Sequence, residues 1–284
     1  MARRDPLLRS KRLFGERFRA PLRELLLRAL SKFPDGVVLT IRERLMLRRR
    51  MDYHRHAVYL DLQSPDEYFV RLKSCAKEPE TVEWIETFIR EGDVVYDIGA
   101  NVGAYSLLTS KFTNGKAVIY AFEPGFSNYS QLCRNTFLNQ CQSNVIPLPI
   151  PLSDKTGLSV FRYSNLSPGS ASHTLVEQAT EINGDLAQRV LSCRLDDLVE
   201  QFGLEQANHI KIDVDGHELE VLSGALSVLA DPSLHTLLVE IDEGSPGRDE
   251  IFQILESSGF QVRSKHRHPL VTNYIFLRVD FRGE

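Results

Sequence analysis

The hydrophobic positions of the 284-residue chain change period at several points, and each change marks the border of a predicted element. Val94, Val95 and Tyr96 form a β-branched and aromatic run, apolar at consecutive positions as a strand buried on both faces must be. From Ala104 the period lengthens: Leu107, Leu108 and Lys111 fall at helical spacing, and Asn114-Gly115 supplies a stop. Strand therefore gives way to helix within residues 94–111, VVYDIGANVGAYSLLTSK, through a turn that carries Asp97, Gly99, Asn101 and Gly103. Glycine permits a sharp bend or a close backbone approach, and asparagine is the next most tolerant of left-handed geometry.

The same alternation continues downstream. Residues 117–122 predict a second strand ending at Glu123-Pro124, residues 126–139 a helix, and residues 145–150 a third strand followed by Ser153-Asp154. Residues 158–163 alternate as a half-buried strand, and a further short strand begins at Val190. Residues 209–214 and 237–241 predict two more buried strands, residues 249–258 a helix and residues 274–279 a last strand. In this reading Asp213 and Asp215 share one strand face, and Gly216 opens a helix carrying His217 and Glu218. Upstream, residues 79–89 predict a helix with Val82, Ile85 and Ile89 on one face and Trp84 in the core. Residues 58–62 and 67–72, separated by the turn signal Gln63-Ser64-Pro65-Asp66, read as a β-hairpin. Residues 164–189 are polar and contain Pro168, Gly169 and Gly184; a loop of that length is expected to be a substrate-side lid or an inert excursion, with His173 either solvated or catalytic.

Charge divides the chain where periodicity does not. Of 34 Lys+Arg and 38 Asp+Glu, residues 1–56 hold 16 and 6, leaving 18 and 32 for the remainder. A basic arm is thus joined to an acidic body. Between residues 21 and 47 the arm reads as two short amphipathic helices, with Leu22, Leu25, Leu26, Leu27, Leu30, Leu45 and Leu47 among arginines and a break near Pro34. Such helices pack on the body or a second subunit, or attach to an anionic membrane surface. Nucleic acid is disfavoured, because the arm lacks interleaved stacking aromatics and the body is acidic. The expected division is an arm at 1–56, a hairpin extension at 57–75 and a catalytic body at 76–284. No run of about 18 apolar residues, no secretory leader pattern and four widely spaced cysteines lead to the expectation of a reduced, cytoplasmic protein, peripheral to a membrane if the arm attaches there.

The turn at 97–103 is D-x-G-x-N-x-G, not the G-x-G-x-x-G that makes room for a pyrophosphate. Glu123 follows Gly103 by 20 residues, the spacing at which an acidic side chain meets a ribose diol. Taken in order, VVYDIGANVGAYSLLTSK, AFEP (121–124), LSDKTG (152–157), RLDDL (194–198) and IKIDVDGHELEVLSGA (210–225) resemble the FkbM-type family of class I S-adenosylmethionine-dependent methyltransferases, over residues 76–280. The resemblance implies an α/β, Rossmann-like fold, with seven mostly parallel strands, helices on both faces and an antiparallel last hairpin. It implies S-adenosylmethionine as donor, with Asp97, Gly99, Asn101 and Gly103 around its methionine and ribose portion, Glu123 on the ribose hydroxyls, Asp154 at the adenine and Ser153 as a further cofactor-binding residue. It also implies a catalytic group of Asp213, to orient or deprotonate an acceptor hydroxyl, His217 as the alternative base and Lys211 as the partner of Asp213 or Asp215. At Asp215 the chain has aspartate where the family more usually has glutamate.

The expected activity is O-methylation of a hydroxyl on a sugar, glycolipid or secondary metabolite. Two rivals stand beside it. Methylation of a nucleic-acid base would use the basic arm, but the N/D-P-P-aromatic tetrapeptide of amino-group methylation is absent. A nucleotide-binding scaffold tethered by the arm needs no acceptor. The lack of a tight His/Cys cluster argues against zinc, so no metal ligand is assigned, and a magnesium near Asp213 stays open.

Overall fold

A computed structural model describes residues 24–25, 28–176 and 186–281. The chain divides into two compact units, Met1–Met46 and Leu47–Glu284. In the first, the expected break separates helical residues 28–30 from a helix at Asp35–Arg44, whose N-cap is Pro34 and whose first turn holds Asp35, where a carboxylate suits the helix dipole. Most of the first predicted arm helix, with Leu22, Leu26 and Leu27, lies outside the described residues.

The second unit begins ten residues before the expected boundary at 56, because Leu47–Arg50 (β1) pairs antiparallel with Tyr59–Leu62 (β2), Leu47 opposite Leu62. This corrects the expected hairpin. Residues 67–72 do not return as a strand; they lie in a helix at Pro65–Phe69 and a 3-10 turn at Arg71–Lys73. The reason is local. Ser64 Oγ accepts from Glu67 N at 3.1 Å while the Glu67 carboxylate accepts from Ser64 N at 2.9 Å, a capping box with Pro65 at the first helical position. Ser64 Oγ also donates to Pro168 O at 2.5 Å. Ser64→Ala is expected to cost about 1–2 kcal/mol through the lost cap, measured as a lower midpoint in denaturant unfolding; an unchanged midpoint would remove the box from the account.

The remaining strands are Val94–Ile98 (β3), Val118–Phe122 (β4), Val145–Leu148 (β5), Gly157–Arg162 (β6), Thr174–Val176 (β7), Ala187–Ser192 (β8), His209–Ile212 (β9), Thr236–Ile241 (β10), Phe260–Arg267 (β11) and Thr272–Arg278 (β12). Seven of them form one sheet in the order β11-β12-β10-β9-β3-β4-β5. Strands β5, β4, β3, β9 and β10 run parallel, whereas β12 is antiparallel to both β10 and β11. This is the doubly wound, mostly parallel arrangement with an antiparallel terminal hairpin that the sequence resemblance implies.

Both faces of the sheet are buried, and side chains alternate between two cores. Tyr96, Ile98, Ile210, Ile212, Leu237 and Val239 share one core with Leu198, Leu222 and Leu255 from covering helices. Val95, Ile119, Leu238 and Ile275 share the other with Trp84, Leu107 and Leu132. Trp84 is core, and its indole nitrogen donates to Thr236 Oγ1 at 2.9 Å.

A separate antiparallel sheet, β7-β6-β8, corrects the reading of residues 164–189 as one long loop. Residues 177–185, which include Gly184, lie outside the described residues. Among the described residues no helix is long and apolar enough to cross a membrane.

Candidate active site

Strand order reverses between β3 and β9, and in open α/β sheets that switch point is where ligands bind, beyond the carboxyl ends of the strands. The turn after β3 is built for close approach. Gly99 has φ +86°, and a Cβ there would lie 1.8 Å from the carbonyl oxygen of Asp213, so the turn presses directly on the loop after β9. Asn101 also has a positive φ, +52°, and its N–H donates to Glu123 Oε2 at 2.9 Å. The other Glu123 oxygen accepts from Gly125 N at 2.7 Å. Two backbone donors thus fix a carboxylate that is almost wholly buried, and burial pushes it up to about 7. The Asn101 side chain donates to Ser170 O at 2.8 Å and ties the turn to the loop before β7.

A cleft opens over this junction. Gly99, Asn101, Glu123, Asp213 and His217 line it, all of them expected site residues, together with Asp215. The other expected residues are placed elsewhere. Gly103 faces Leu132, whose Cδ1 would be 2.5 Å from an added Cβ. Asp97 and Lys211 are buried beneath the lining. Ser153 and Asp154 are not lining residues; the bridge between Leu152 and Cys193 brings Ile150, Pro151 and Leu152 to the wall and carries the chain past it, where Asp154 meets Lys155 at 3.3 Å.

Asp213 and Asp215 also differ from expectation. Strand β9 ends at Ile212, so both belong to the following turn, where Asp215 has φ +55° and accepts from Ser172 N at 2.7 Å. They still reach one cleft. His217 precedes its helix, and its Nε2 accepts from Leu175 N at 3.1 Å, which occupies the lone pair a base would use. His173 is neither solvated nor free to act as a base: it is buried against Phe161 and Tyr163, its Nδ1 accepts from Ser164 N at 3.2 Å, and burial holds its imidazole below the usual range.

Sheet register assembles the charges. Asp97 on β3 lies opposite Lys211 on β9, and Lys211 opposite Leu238 on β10. With a period of two, Glu240 falls on the same face as Leu238, at the rim of the cleft. Lys211 Nζ donates to Asp213 Oδ2 at 2.8 Å. Burial alone would push the Lys211 amine down, but the carboxylates of Asp213, Asp97 and Glu78 outweigh it and keep it an ammonium. Burial alone would raise the Asp213 carboxyl, but Lys211 holds it below the usual carboxylate range. Glu240 makes no ion pair among the described residues, and burial, with the charge of Asp213 beside it, outweighs the attraction of Lys211 and pushes its carboxyl up to about 8. Asp97 is likewise raised by burial; Ser106 donates to its Oδ2 at 2.5 Å, while its Oδ1 is buried with no hydrogen-bond partner among the described residues.

Glu240 and Arg71 are cleft residues that reasoning from sequence did not select. The available signal for Glu240 was a carboxylate within the otherwise apolar run TLLVEI. Among the described residues no group of three or more His, Cys, Asp or Glu is placed to hold a metal ion.

Residues 97–262, more than half of the chain, match the model of the Methyltransferase FkbM domain. The chain is similar to Hexuronic acid methyltransferase AglP of Haloferax volcanii, 29% identical over 194 residues that cover 68% of this chain and 74% of that protein. It is similar to Methyltransferase sdnD of Sordaria araneosa, 31% identical over 193 residues, 59% of this chain and 73% of the relative. It is also similar to 31-O-demethyl-FK506 methyltransferase FkbM of Streptomyces tacrolimicus, 24% identical over 199 residues, 61% of this chain and 75% of the relative.

Proposed function

The chain belongs to the FkbM methyltransferase family, and from that premise we propose that it transfers a methyl group from S-adenosylmethionine to a hydroxyl oxygen of a sugar, glycolipid or secondary metabolite. The observation that carries this reading is the convergence of Glu123, Asp213, Asp215 and Glu240 on one cleft at the switch point of the sheet. An anionic cleft suits a cationic donor. When bound, S-adenosylmethionine supplies a methyl group already activated by a positive sulfur. The residues present fit it. Glu123, held by the Asn101 and Gly125 amides with the Asn128 side chain beside it, faces the cleft as the carboxylate for a ribose hydroxyl. Gly99 lets the turn pack on the Asp213 carbonyl beside the cleft, and Ile150, Leu152 and Phe161 offer apolar walls to a flat base. In this account Asp97, Gly103, Ser153 and Asp154 support the site from behind or beside it rather than lining it.

The acceptor half of the mechanism divides between two carboxylates. Asp213, kept ionised by Lys211, accepts the hydroxyl's hydrogen bond and orients its oxygen. Glu240 takes the proton as the O–CH3 bond forms, since a carboxyl poised near the working pH is the better base. Two relatives are named for a hexuronic acid and for an O-demethyl compound, which supports oxygen as the atom methylated. The test is transfer of tritiated methyl from S-adenosylmethionine by the full chain into glucuronate, glucose and a cell extract, followed by mass analysis of labelled products. Label on an ether oxygen is the expected result; label on an ester oxygen would mean that a carboxylate, not a hydroxyl, is the acceptor. Label found only on nucleic acid, or none transferred although the donor binds, would overturn the reading.

A further inference from the structure

Arg71 reaches the cleft from the 3-10 turn Arg71–Lys73, upstream of the family match that begins at residue 97. Its Nε donates to Gly169 O at 3.0 Å. That carbonyl is itself fixed. Gly169 has φ +82°, a Cβ there would come 2.9 Å from Glu67 Cγ, and the neighbouring Pro168 O accepts from Ser64. One side of the guanidinium is therefore anchored between two segments that are locked to each other.

The other side is unspent. Among the described residues Nη1 and Nη2 make no hydrogen bond, and no carboxylate lies within ion-pair distance of Arg71. The neighbouring cations are already matched: Lys77 with Glu78 at 2.5 Å and Lys211 with Asp213 at 2.8 Å. The charge of Arg71 does reach across the cleft, since it opposes the rise of the Glu123 and Asp215 carboxyls and adds to the lowering of Asp213. A guanidinium held by Nε presents its two outer nitrogens end-on, as a planar fork that matches the two oxygens of a carboxylate.

We propose that Arg71 is a ligand-binding residue that takes a carboxylate in the cleft. Two compounds could bring that group: the amino-acid end of the donor, or an acidic acceptor of the sugar-acid type. The inference rests on the reading of the cleft as a methyl-donor site and adds to it a requirement for an anionic group.

Calorimetric titration of the full chain, with wild type, Arg71→Gln and Arg71→Lys, separates the cases. The probes are S-adenosylhomocysteine, which has the carboxylate, 5′-methylthioadenosine, which lacks it, and sodium glucuronate. If the donor brings the carboxylate, Arg71→Gln weakens S-adenosylhomocysteine roughly 10- to 100-fold, Arg71→Lys weakens it less, and methylthioadenosine binds as in wild type. Retained methylthioadenosine binding also shows that the variant has folded. If the acceptor brings it, both nucleosides are unaffected and glucuronate binding is lost. Unchanged affinity for S-adenosylhomocysteine and no Arg71-dependent glucuronate binding would overturn the proposal. Wild-type protein that binds neither nucleoside would instead overturn the donor reading.

Discussion

Replacing Glu240 by glutamine lowers kcat for methyl transfer by about 10²- to 10⁴-fold, the usual contribution of a general base, while donor affinity and KM change little. The substitution keeps the side chain's volume and removes only its capacity to accept a proton. Glu240 is the one expected to respond in this way because its environment differs from that of the other acidic groups. Asp213 is spoken for by Lys211 at 2.8 Å, and the His217 Nε2 lone pair is occupied by Leu175 N. Glu240 has a carboxyl pushed up to about 8 by burial and by the adjacent Asp213 charge. The pH profile follows from that direction. A base must be ionised to act, so wild-type kcat rises about tenfold per pH unit below 8 and levels off above it, and the Glu240→Gln profile loses this limb. A variant that keeps wild-type kcat and the same limb would return the role of base to Asp213 or to a water.

Much of the fold was legible because its signals are local. The run Val94-Val95-Tyr96, the turn residues Asp97 to Gly103 and the helical spacing from Ala104 each depend on neighbours in sequence, and the observed strand Val94–Ile98 and helix Ala104–Phe112 follow them closely. Where local signals compete, sequence alone does not decide between them. Gln63-Ser64-Pro65-Asp66 carries turn chemistry, but Glu67 three residues after Ser64 closes a capping box and starts a helix instead. Likewise β7 was hidden in a polar stretch, because a three-residue strand on a small sheet needs little apolar content.

The candidate site was legible only in part, for a different reason. Glycines and acidic residues at strand ends announce themselves by position, as Gly99, Glu123 and Asp213 did. Glu240 and Arg71 do not. Glu240 acquires its surroundings from the register of β10 on β9 and β3, and Arg71 from a glycine carbonyl 98 residues away. Gly99 shows the converse: its sequence suggests room for a ligand, yet the nearest atom to an added Cβ is the Asp213 carbonyl oxygen, so the glycine is required first by the packing of two loops.

In the proposed function the cleft holds an adenosyl donor through Glu123. Loss of this carboxylate removes both acceptors offered to a ribose diol. It also leaves the N–H groups of Asn101 and Gly125 without their partner, at about 1–3 kcal/mol for each buried donor that water does not reach. Glu123→Ala therefore loses some stability, and unfolding must be followed alongside binding to show that the variant is still folded. The decisive measurement is calorimetric titration of S-adenosylmethionine into the full chain at pH 8, above the value of about 7 to which burial raises Glu123. Wild-type protein should bind one equivalent, and folded Glu123→Ala should bind at least about 100-fold more weakly, as expected when two hydrogen bonds to a charged group are lost. Equal affinity in the two proteins, or no binding by wild type, would contradict the account.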